Sequence, residues 1–561
     1  MATTTYDAII VGSGITGGWA AKELTEKGLN TLVLEAGRSI VPERDFVEHV
    51  PVWELKHRGW DNRTERETTQ PIQRECYYAC DEYSNQFFVS DKDNPYSFDP
   101  GKHFSWIRGR QVGGKSILWG RQSYRWSDLD FEANLKDGIA VDWPIRYADL
   151  APWYDYVEEF AGISGQAEGL PQLPDGKFLP PMEMTCVETD FKNAIAKNFD
   201  DRILTIGRSA VLTRVHKGRA ACHYCGVCHR GCITNSYFSS ISSTLPAAQK
   251  TGKLTMRPYS VVHSLMFDAK SRRVGGVRVI DAQSKNTLEF KARIFFICGS
   301  TLESTRILLN SATPEFPDGL ANSSGELGHN LMDHHMGSGA SGRMPGHEDM
   351  MPFGNRPNGI YIPRFRNIKT KQKDFLRGYG YQGGSSREGW SRGITKVGLG
   401  VDFKNSLKMP GPWRMGIGGF GECLPNHNNY VEVDKEKLDA WGIPTLKIHC
   451  GWGENELAMS KDIAAQAGEM LAAAGAKDIN TNHEITPPGL AIHEMGTARM
   501  GRDPKTSVLN EHNQAHDAKN LFLTDGACMV SSSCVNPSLT YMALTARACD
   551  FAVSELKKNN L

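Results

Sequence analysis

Four cysteines, Cys222, Cys225, Cys228 and Cys232, fall within eleven residues in the segment Cys-His-Tyr-Cys-Gly-Val-Cys-His-Arg-Gly-Cys. The C-x2-C-x2-C-x3-C spacing is one by which thiolates hold an iron–sulfur cluster, a carrier of single electrons. Structural zinc and a metal-free cysteine-rich loop stay open as alternatives. Zinc ribbons, however, usually set two cysteine pairs on separate loops, whereas here one short loop would have to wrap the ion alone. A disulfide framework is disfavoured by the length of the chain and its odd total of 13 cysteines. Ile233 stands where a proline closes the full motif. A 3Fe–4S cluster that leaves one cysteine unused is therefore an alternative to 4Fe–4S.

A second chemistry begins at the N-terminus. Tyr6 to Val11 is a short apolar run, followed by Gly12-Ser13-Gly14-Ile15-Thr16-Gly17, a helix-compatible stretch through Trp19 and Leu24, and a second apolar run from Thr31 to Glu35. Buried parallel strands read as such runs. The glycines let the backbone turn and approach a pyrophosphate, which then sits on the helix N-terminus, while Glu35 accepts the ribose hydroxyls. This fingerprint alone does not separate FAD from NAD. A later segment, Arg108-Gly-Arg110-Gln-Val-Gly113-Gly114-Lys-Ser116-Ile-Leu118-Trp119-Gly120, repeats paired glycines far from the first loop. That suits the long FAD molecule better. A cluster and a two-electron cofactor in one chain would form the two ends of an electron relay.

The third set lies near the C-terminus: His493-Glu-Met-Gly-Thr-Ala-Arg-Met-Gly501, then Asn520-Leu-Phe-Leu-Thr-Asp525-Gly526, then Asn536-Pro537-Ser-Leu-Thr540 and a helix-like run to about Leu556. These segments, together with Cys298-Gly299-Ser300-Thr-Leu-Glu303-Ser304-Thr-Arg306-Ile-Leu-Leu309, resemble the glucose–methanol–choline oxidoreductases. The matches spread over most of the chain except roughly 340–490. The resemblance implies bound FAD, with His493 and Asn536 as the catalytic pair across the flavin. It also implies that Val262, Gly299, Asp525, Gly526, Pro537 and Thr540 join Gly12, Gly14, Ile15, Thr16, Gly17, Glu35, Arg110, Gly113, Gly114, Ser116, Trp119 and Gly120 in holding the cofactor. Pyranose oxidases carry a flavin-linked histidine where this chain has Leu118, so noncovalent FAD is expected. The chemistry is consistent: a histidine of near-neutral pKa accepts a hydroxyl proton, and an amide hydrogen-bonds the developing alkoxide. Asn536-Pro537 also reads as an ordinary helix start, Asn at the N-cap and Pro at the first helical position.

Among relatives the chain looks most like cluster-bearing bacterial FAD-dependent sugar dehydrogenase large subunits, including glucoside 3-dehydrogenases. The implied partners are a small helper subunit and a c-type cytochrome acceptor, and the implied reaction is oxidation of a secondary ring hydroxyl. A gluconate or polyol substrate would leave the same motifs intact. The alternatives are an oxidase like pyranose oxidases with a structural cysteine loop, and an FAD-bearing electron-transfer or redox-sensing protein that turns over no sugar.

The fold needed to position these residues is α/β (α+β): a Rossmann-like FAD domain from 1–50, 100–130, 245–330 and 490–561, an insertion at 130–245 with the cysteine loop, and a sheet-based substrate cap at 340–490. Within the cap, Thr395–Phe403 and Asn429–Asp434 read as strands and 454–475 as helix. Asp333-His334-His335 reads as a flavin-domain loop, since adjacent residues seldom converge on one metal. Cys76 and Cys80 are read as ordinary buried thiols in preference to a redox pair. Trp60, Trp106, Trp390, Trp413 and Trp452 are candidates for stacking on a sugar face. With 64 basic and 64 acidic residues the net charge is zero, which gives no electrostatic case for nucleic acid or an anionic membrane. The first strand starts too early for a signal peptide. A cytoplasmic location is the default, with a periplasmic one if a signal-bearing partner subunit carries the chain out.

Overall fold

The structure is a computed structural model that describes residues 5–561. Its main sheet has seven strands. Strands Leu254–Arg257, Thr31–Leu34, Thr5–Val11 and Thr287–Ile297 run parallel, Leu521–Leu523 joins Thr287–Ile297 in parallel, and Arg273–Asp281 and Ser260–Asp268 close the sheet antiparallel. Val11 is in register with Leu34 and Ile297, and Ile297 with Leu523, so four strands end at one level. The residues that follow those ends are Gly12, Glu35, Cys298–Gly299 and Thr524–Asp525. Ligands of open parallel sheets bind beyond the carboxyl ends of the strands, and these are the positions the sequence motifs occupy.

The strands are buried on both faces. Ala8, Ile10, Val33, Phe296 and Phe522 pack under helices Ile15–Glu26 and Ser538–Lys557, which is why they read as continuous apolar runs. A second, six-stranded antiparallel sheet is ordered Lys477–Asn482, Gly339–Met344, Trp413–Gly421, Tyr379–Arg387, Ile360–Ile362 and Thr205–Ile206. Helices Glu454–Ala473 and Cys186–Asn198 cover one of its faces through Met459, Ile463, Met470, Val187 and Phe191. Tyr430–Leu438, Pro444–His449 and Ser97–Phe98 form a third, small sheet. No helix among the described residues is long and apolar enough to cross a membrane.

One cap element differs from the sequence expectation. Thr395–Phe403 is not a strand: a 3-10 turn, Trp390–Ile394, leads to a helix, Gly400–Lys408. Alternation along Val397, Leu399 and Val401 suggested a half-buried strand, but all three side chains face solvent and have no sheet to join. Phe403 and Leu407, one helical turn apart, instead fold back onto Gly398 and Gly393, where a Cβ would overlap them.

Candidate active site

A cavity of about 510 Å³ opens at the carboxyl ends of the parallel strands. Three helix N-termini face it, at Gly14–Ile15, Ser300–Thr301 and Asn536–Ser538. None has a side-chain cap, so their free N–H groups and positive dipole ends are left for a ligand. Gly12 adopts φ +91°, and a Cβ there or at Gly17 would overlap neighbouring backbone, whereas one at Gly14 would meet nothing within 4 Å. Gly12 and Gly17 thus serve packing, and Gly14 leaves room for a phosphate. Glu35 is buried; its Oε2 accepts from Ser13 Oγ at 2.6 Å and Ser13 N at 3.1 Å, and its Oε1 from Gly37 N at 3.0 Å. These bonds oppose the desolvation that pushes its pKa up. The donor-rich, elongated cavity with an acid at one end fits a dinucleotide cofactor such as FAD.

Of the residues singled out from sequence, Gly12, Gly14, Ile15, Thr16, Glu35, Arg110, Gly114, Ser116, Trp119, Gly120, Val262, Gly299, His493, Asp525, Gly526 and Asn536 line this cavity. Gly17, Gly113, Pro537 and Thr540 stand behind the wall. Gly113 N donates to Ser13 Oγ at 3.0 Å, and the Thr540 hydroxyl bonds the Tyr154 hydroxyl at 2.7 Å. The last helix begins at Ser538, with Pro537 as the residue before it, one position later than the sequence suggested. Trp60 and Trp390 are exposed, Trp106 and Trp413 are core residues, and Trp452 donates to Thr486 O; none of the five lines the cavity.

His493 reaches the cavity from a short loop held by a buried carboxylate. Asp333 Oδ1 accepts from His493 N at 3.0 Å and from His334 N at 2.9 Å, while Oδ2 accepts from Gly489 N at 2.8 Å and Ala491 N at 3.3 Å. Burial and the nearby Glu494 push the Asp333 pKa up to about 7 against those bonds. His334, 1% exposed, fixes the proton inventory of His493. Its Nε2 lies 3.0 Å from the Ser532 carbonyl, which only accepts, so Nε2 carries hydrogen. Burial lowers its pKa to about 4, so the ring is neutral and its Nδ1 is bare. His493 Nδ1, 2.9 Å away, must then donate to it. His493 Nε2 is left as an unprotonated acceptor on a ring that lines the cavity.

The sequence expectation of a near-neutral pKa for His493 is corrected. Desolvation first, then the fields of His334 and Lys115, hold it well below 6.5. The consequence for chemistry is favourable, because the base stays unprotonated over a wide pH range. Asn536 Oδ1 accepts from Gln382 Nε2 at 2.5 Å, which leaves the Asn536 amide N–H groups to donate. Sequence reasoning missed Asp333, His334, Ser532 and Gln382 as site residues. His335 turns the other way, its Nε2 3.3 Å from the Sδ of Met459, a core residue beneath the six-stranded sheet.

The cysteine loop lies one side-chain layer from the cavity. Cys222, Cys228 and Cys232 pack with Tyr224 against Met182, Val211 and Tyr237; Cys225 is outside that cluster. The Tyr237 hydroxyl donates to Ile117 O at 2.6 Å, between the cavity-lining Ser116 and Leu118. Burial pushes the Cys222 thiol up to about 11 and raises that of Cys228. Among the described residues no three His, Cys, Asp or Glu side chains converge where they would hold a metal, these cysteines included. As placed, the thiols do not form a ligand set. Cys76 and Cys80 are buried and unpaired; Cys76 lines the cavity.

The sequence models of the GMC oxidoreductase N- and C-terminal domains match residues 6–336 and 425–545. This chain is a GMC oxidoreductase. Like the family's other members it is an FAD-dependent oxidoreductase acting on CH–OH groups. It is 28% identical to 2-methyl-1,2-propanediol dehydrogenase of Mycolicibacterium austroafricanum over 97% of this chain and 94% of that one. It is 27% identical to the fructose dehydrogenase large subunit of Gluconobacter japonicus over 99% of both chains. Pyridoxine 4-oxidase from Mesorbium loti shares the fold, with a TM-score of 0.61 at 16% identity over 97% of this chain and 98% of that one.

Proposed function

We propose that this GMC oxidoreductase is a dehydrogenase that oxidises a secondary hydroxyl of a sugar or glycoside, with C3 of a glucoside as the preferred position. The observation that carries the reading is the bare Nε2 of His493 at the cavity wall, its tautomer set by His334 and Ser532. Bound FAD supplies the two-electron acceptor for a substrate hydride. Within the chain, His493 Nε2 takes the hydroxyl proton, the Asn536 amide donates to the oxygen as charge develops on it, and the enclosing wall limits water. Leu118 at the cavity wall offers no atom for a bond to the flavin, which supports noncovalent binding.

A second chamber of about 350 Å³ supports a hydroxyl-rich substrate. It adjoins the first through Met336, Gln382 and Phe420, and Ser338, Ser341, Asn480 and Asn482 supply hydrogen-bonding groups among glycines of the cap sheet. Met336, Ile417 and Phe420 add an apolar surface against which the carbon face of a sugar ring could pack. The relatives' names favour polyols and sugars in the same sense: one acts on a diol and one on fructose.

The cysteine spacing, together with the shared packing of Cys222, Cys228 and Cys232, supports an iron–sulfur cluster on this loop, of the 3Fe–4S type if Cys225 stays outside. The thiols would have to turn toward one another to bind it, so its presence is a matter for iron and acid-labile sulfide analysis of anaerobically purified protein. A small helper subunit and a cytochrome-type acceptor are the partners such a protein requires, in keeping with a relative named as a large subunit. The test of the substrate assignment is anaerobic titration with methyl β-glucoside, whose blocked C1 forces attack elsewhere on the ring. Bleaching of the flavin supports the assignment. A flavin that stays oxidised with methyl β-glucoside but bleaches with gluconate or a diol refutes it.

A further inference from the structure

We propose that Lys115 and Glu494 form a charge-setting pair for the cofactor, Lys115 favouring the reduced flavin and Glu494 opposing and positioning it. The proposal rests on the cavity being the flavin site. Lys115 lies in the 3-10 turn Gly114–Ile117, directly after Gly113 at φ +95° and Gly114 at φ +49°, conformations that carry the turn against the first glycine loop. Its Nζ is 3.4 Å from Glu494 Oε2 and 3.3 Å from Ile107 O. The Glu494 side chain is 3% exposed and that of Lys115 25%. Both line the cavity.

Glu494 follows His493 in sequence, which puts the pair at the end of the cavity where the substrate is oxidised. Lys115 is also felt there: its field adds to the burial that lowers the His493 pKa and opposes the burial that raises that of Asp525 to about 6. Of the other cations on the wall, Arg110 pairs with Glu303 at 3.2 Å and Asn94 at 2.5 Å, while Arg121 lies over the Tyr237 ring toward the cysteine loop with its Nε and Nη1 buried without hydrogen-bond partners. Glu494 Oε1 and the Tyr541 hydroxyl, which lines the same cavity, are buried without hydrogen-bond partners. Only one oxygen of the carboxylate is therefore spent on the ammonium, and the pair does not close on itself.

Alcohol oxidation would break the substrate C–H bond, with the hydride going to bound flavin, and its O–H bond, with the proton going to His493, so that one negative charge would lie on the flavin ring beside a protonated histidine. A fixed ammonium there stabilises that charge and a carboxylate destabilises it. Replacing either member must then move the cofactor's electron affinity in opposite directions, which a purely structural pair would not do.

The experiment compares wild type, K115M, K115R and E494Q holoenzymes at pH 7. Its readouts are the flavin midpoint potential from dye-linked titration and the affinity for sulfite, whose addition to oxidised flavin also places negative charge on the ring. K115M is expected to lower the potential by about 30 mV, equal to a tenfold shift for a two-electron couple, and to weaken sulfite binding roughly tenfold. E494Q is expected to raise the potential and tighten sulfite, with K115R close to wild type. If K115M fails to retain FAD, E494Q against K115R still decides the sign. The proposal is overturned if the variants retain FAD and shift both readouts less than about twofold, or in the same direction. Wild-type protein that takes up no FAD would instead overturn the flavin reading beneath it.

Discussion

The assignment of the His493 tautomer yields a sharp prediction at a residue that need not touch the substrate. In His334→Leu, the side chain keeps comparable bulk but loses the acceptor for His493 Nδ1–H. The wild-type chain of bonds runs from Ser532 O through His334 to His493, with spacings of 3.0 and 2.9 Å. Without His334, the His493 N–H points into a buried apolar neighbour, at a cost of about 1–3 kcal/mol for an unsatisfied donor. The imidazole avoids that cost by moving its proton to Nε2, which then can no longer accept from a hydroxyl. The productive tautomer is disfavoured by the same 1–3 kcal/mol, so the rate constant for anaerobic flavin reduction should fall roughly 5- to 150-fold. Because His334 lies behind His493, the substrate concentration at half-maximal rate should change far less than the rate itself. Stopped-flow measurement of flavin bleaching separates the two. A well-folded H334L enzyme with a reduction rate within about twofold of wild type would refute the tautomer argument.

Other expectations follow from the same geometry. Gly17→Ala places a Cβ on the Gly12 carbonyl and should disrupt the turn and its FAD content together, whereas Gly14→Ala meets no protein atom and should fold normally but bind FAD more weakly; absorbance and thermal melts distinguish the two. His334 is uncharged when folded, with a pKa of about 4 against an ordinary 6.5. The stability it contributes is complete above 6.5 and is lost as pH falls toward 4, about 3 kcal/mol over that range, and denaturant titrations at several pH values should show this term missing in H334L. Because His493 is held well below 6.5, protonation of the base should slow flavin reduction only on the more acidic side, and any change in rate near pH 7 should belong to Asp333, whose pKa is pushed up to about 7. Glu158→Gln removes the buried partner of Arg125, bonded at 2.9 and 2.5 Å, and should cost about 3 kcal/mol by denaturant titration.

The parts of the site that were legible in the sequence are those whose chemistry is local. A strand, a glycine turn, a helix and an acid close one dinucleotide unit within Thr5–Glu35, where Glu35 is held by Ser13 and Gly37 of the same βαβ stretch. His493 and Asn536 were singled out by motif, but what holds them, Asp333, His334 and Gln382, lies more than 150 residues away. Asp333 and His334 were read only as a loop because their partners, Gly489, His493 and Ser532, are 156 to 198 residues distant. Nothing in the spacing of Asp-His-His says that the first histidine turns toward His493 and the second toward Met459. That choice is made when the antiparallel cap sheet docks and pairs His335 with Gly421.

The misread cap segment has a different cause. Periodicity reports which side chains alternate, and a strand is inferred on the premise that one face will be buried. Across Val397, Leu399 and Val401 that premise fails, since all three are exposed. The pairing of Arg387 with Trp413 marks the end of the ladder between the two flanking strands, so the intervening residues have no sheet to extend. Glycines at 393, 398 and 400 then let the chain turn back on itself, where Phe403 and Leu407 bury part of their surface. The sequence pattern was compatible with a strand, but local closure around the glycines was the only burial on offer, and it requires the helical spacing of those two residues.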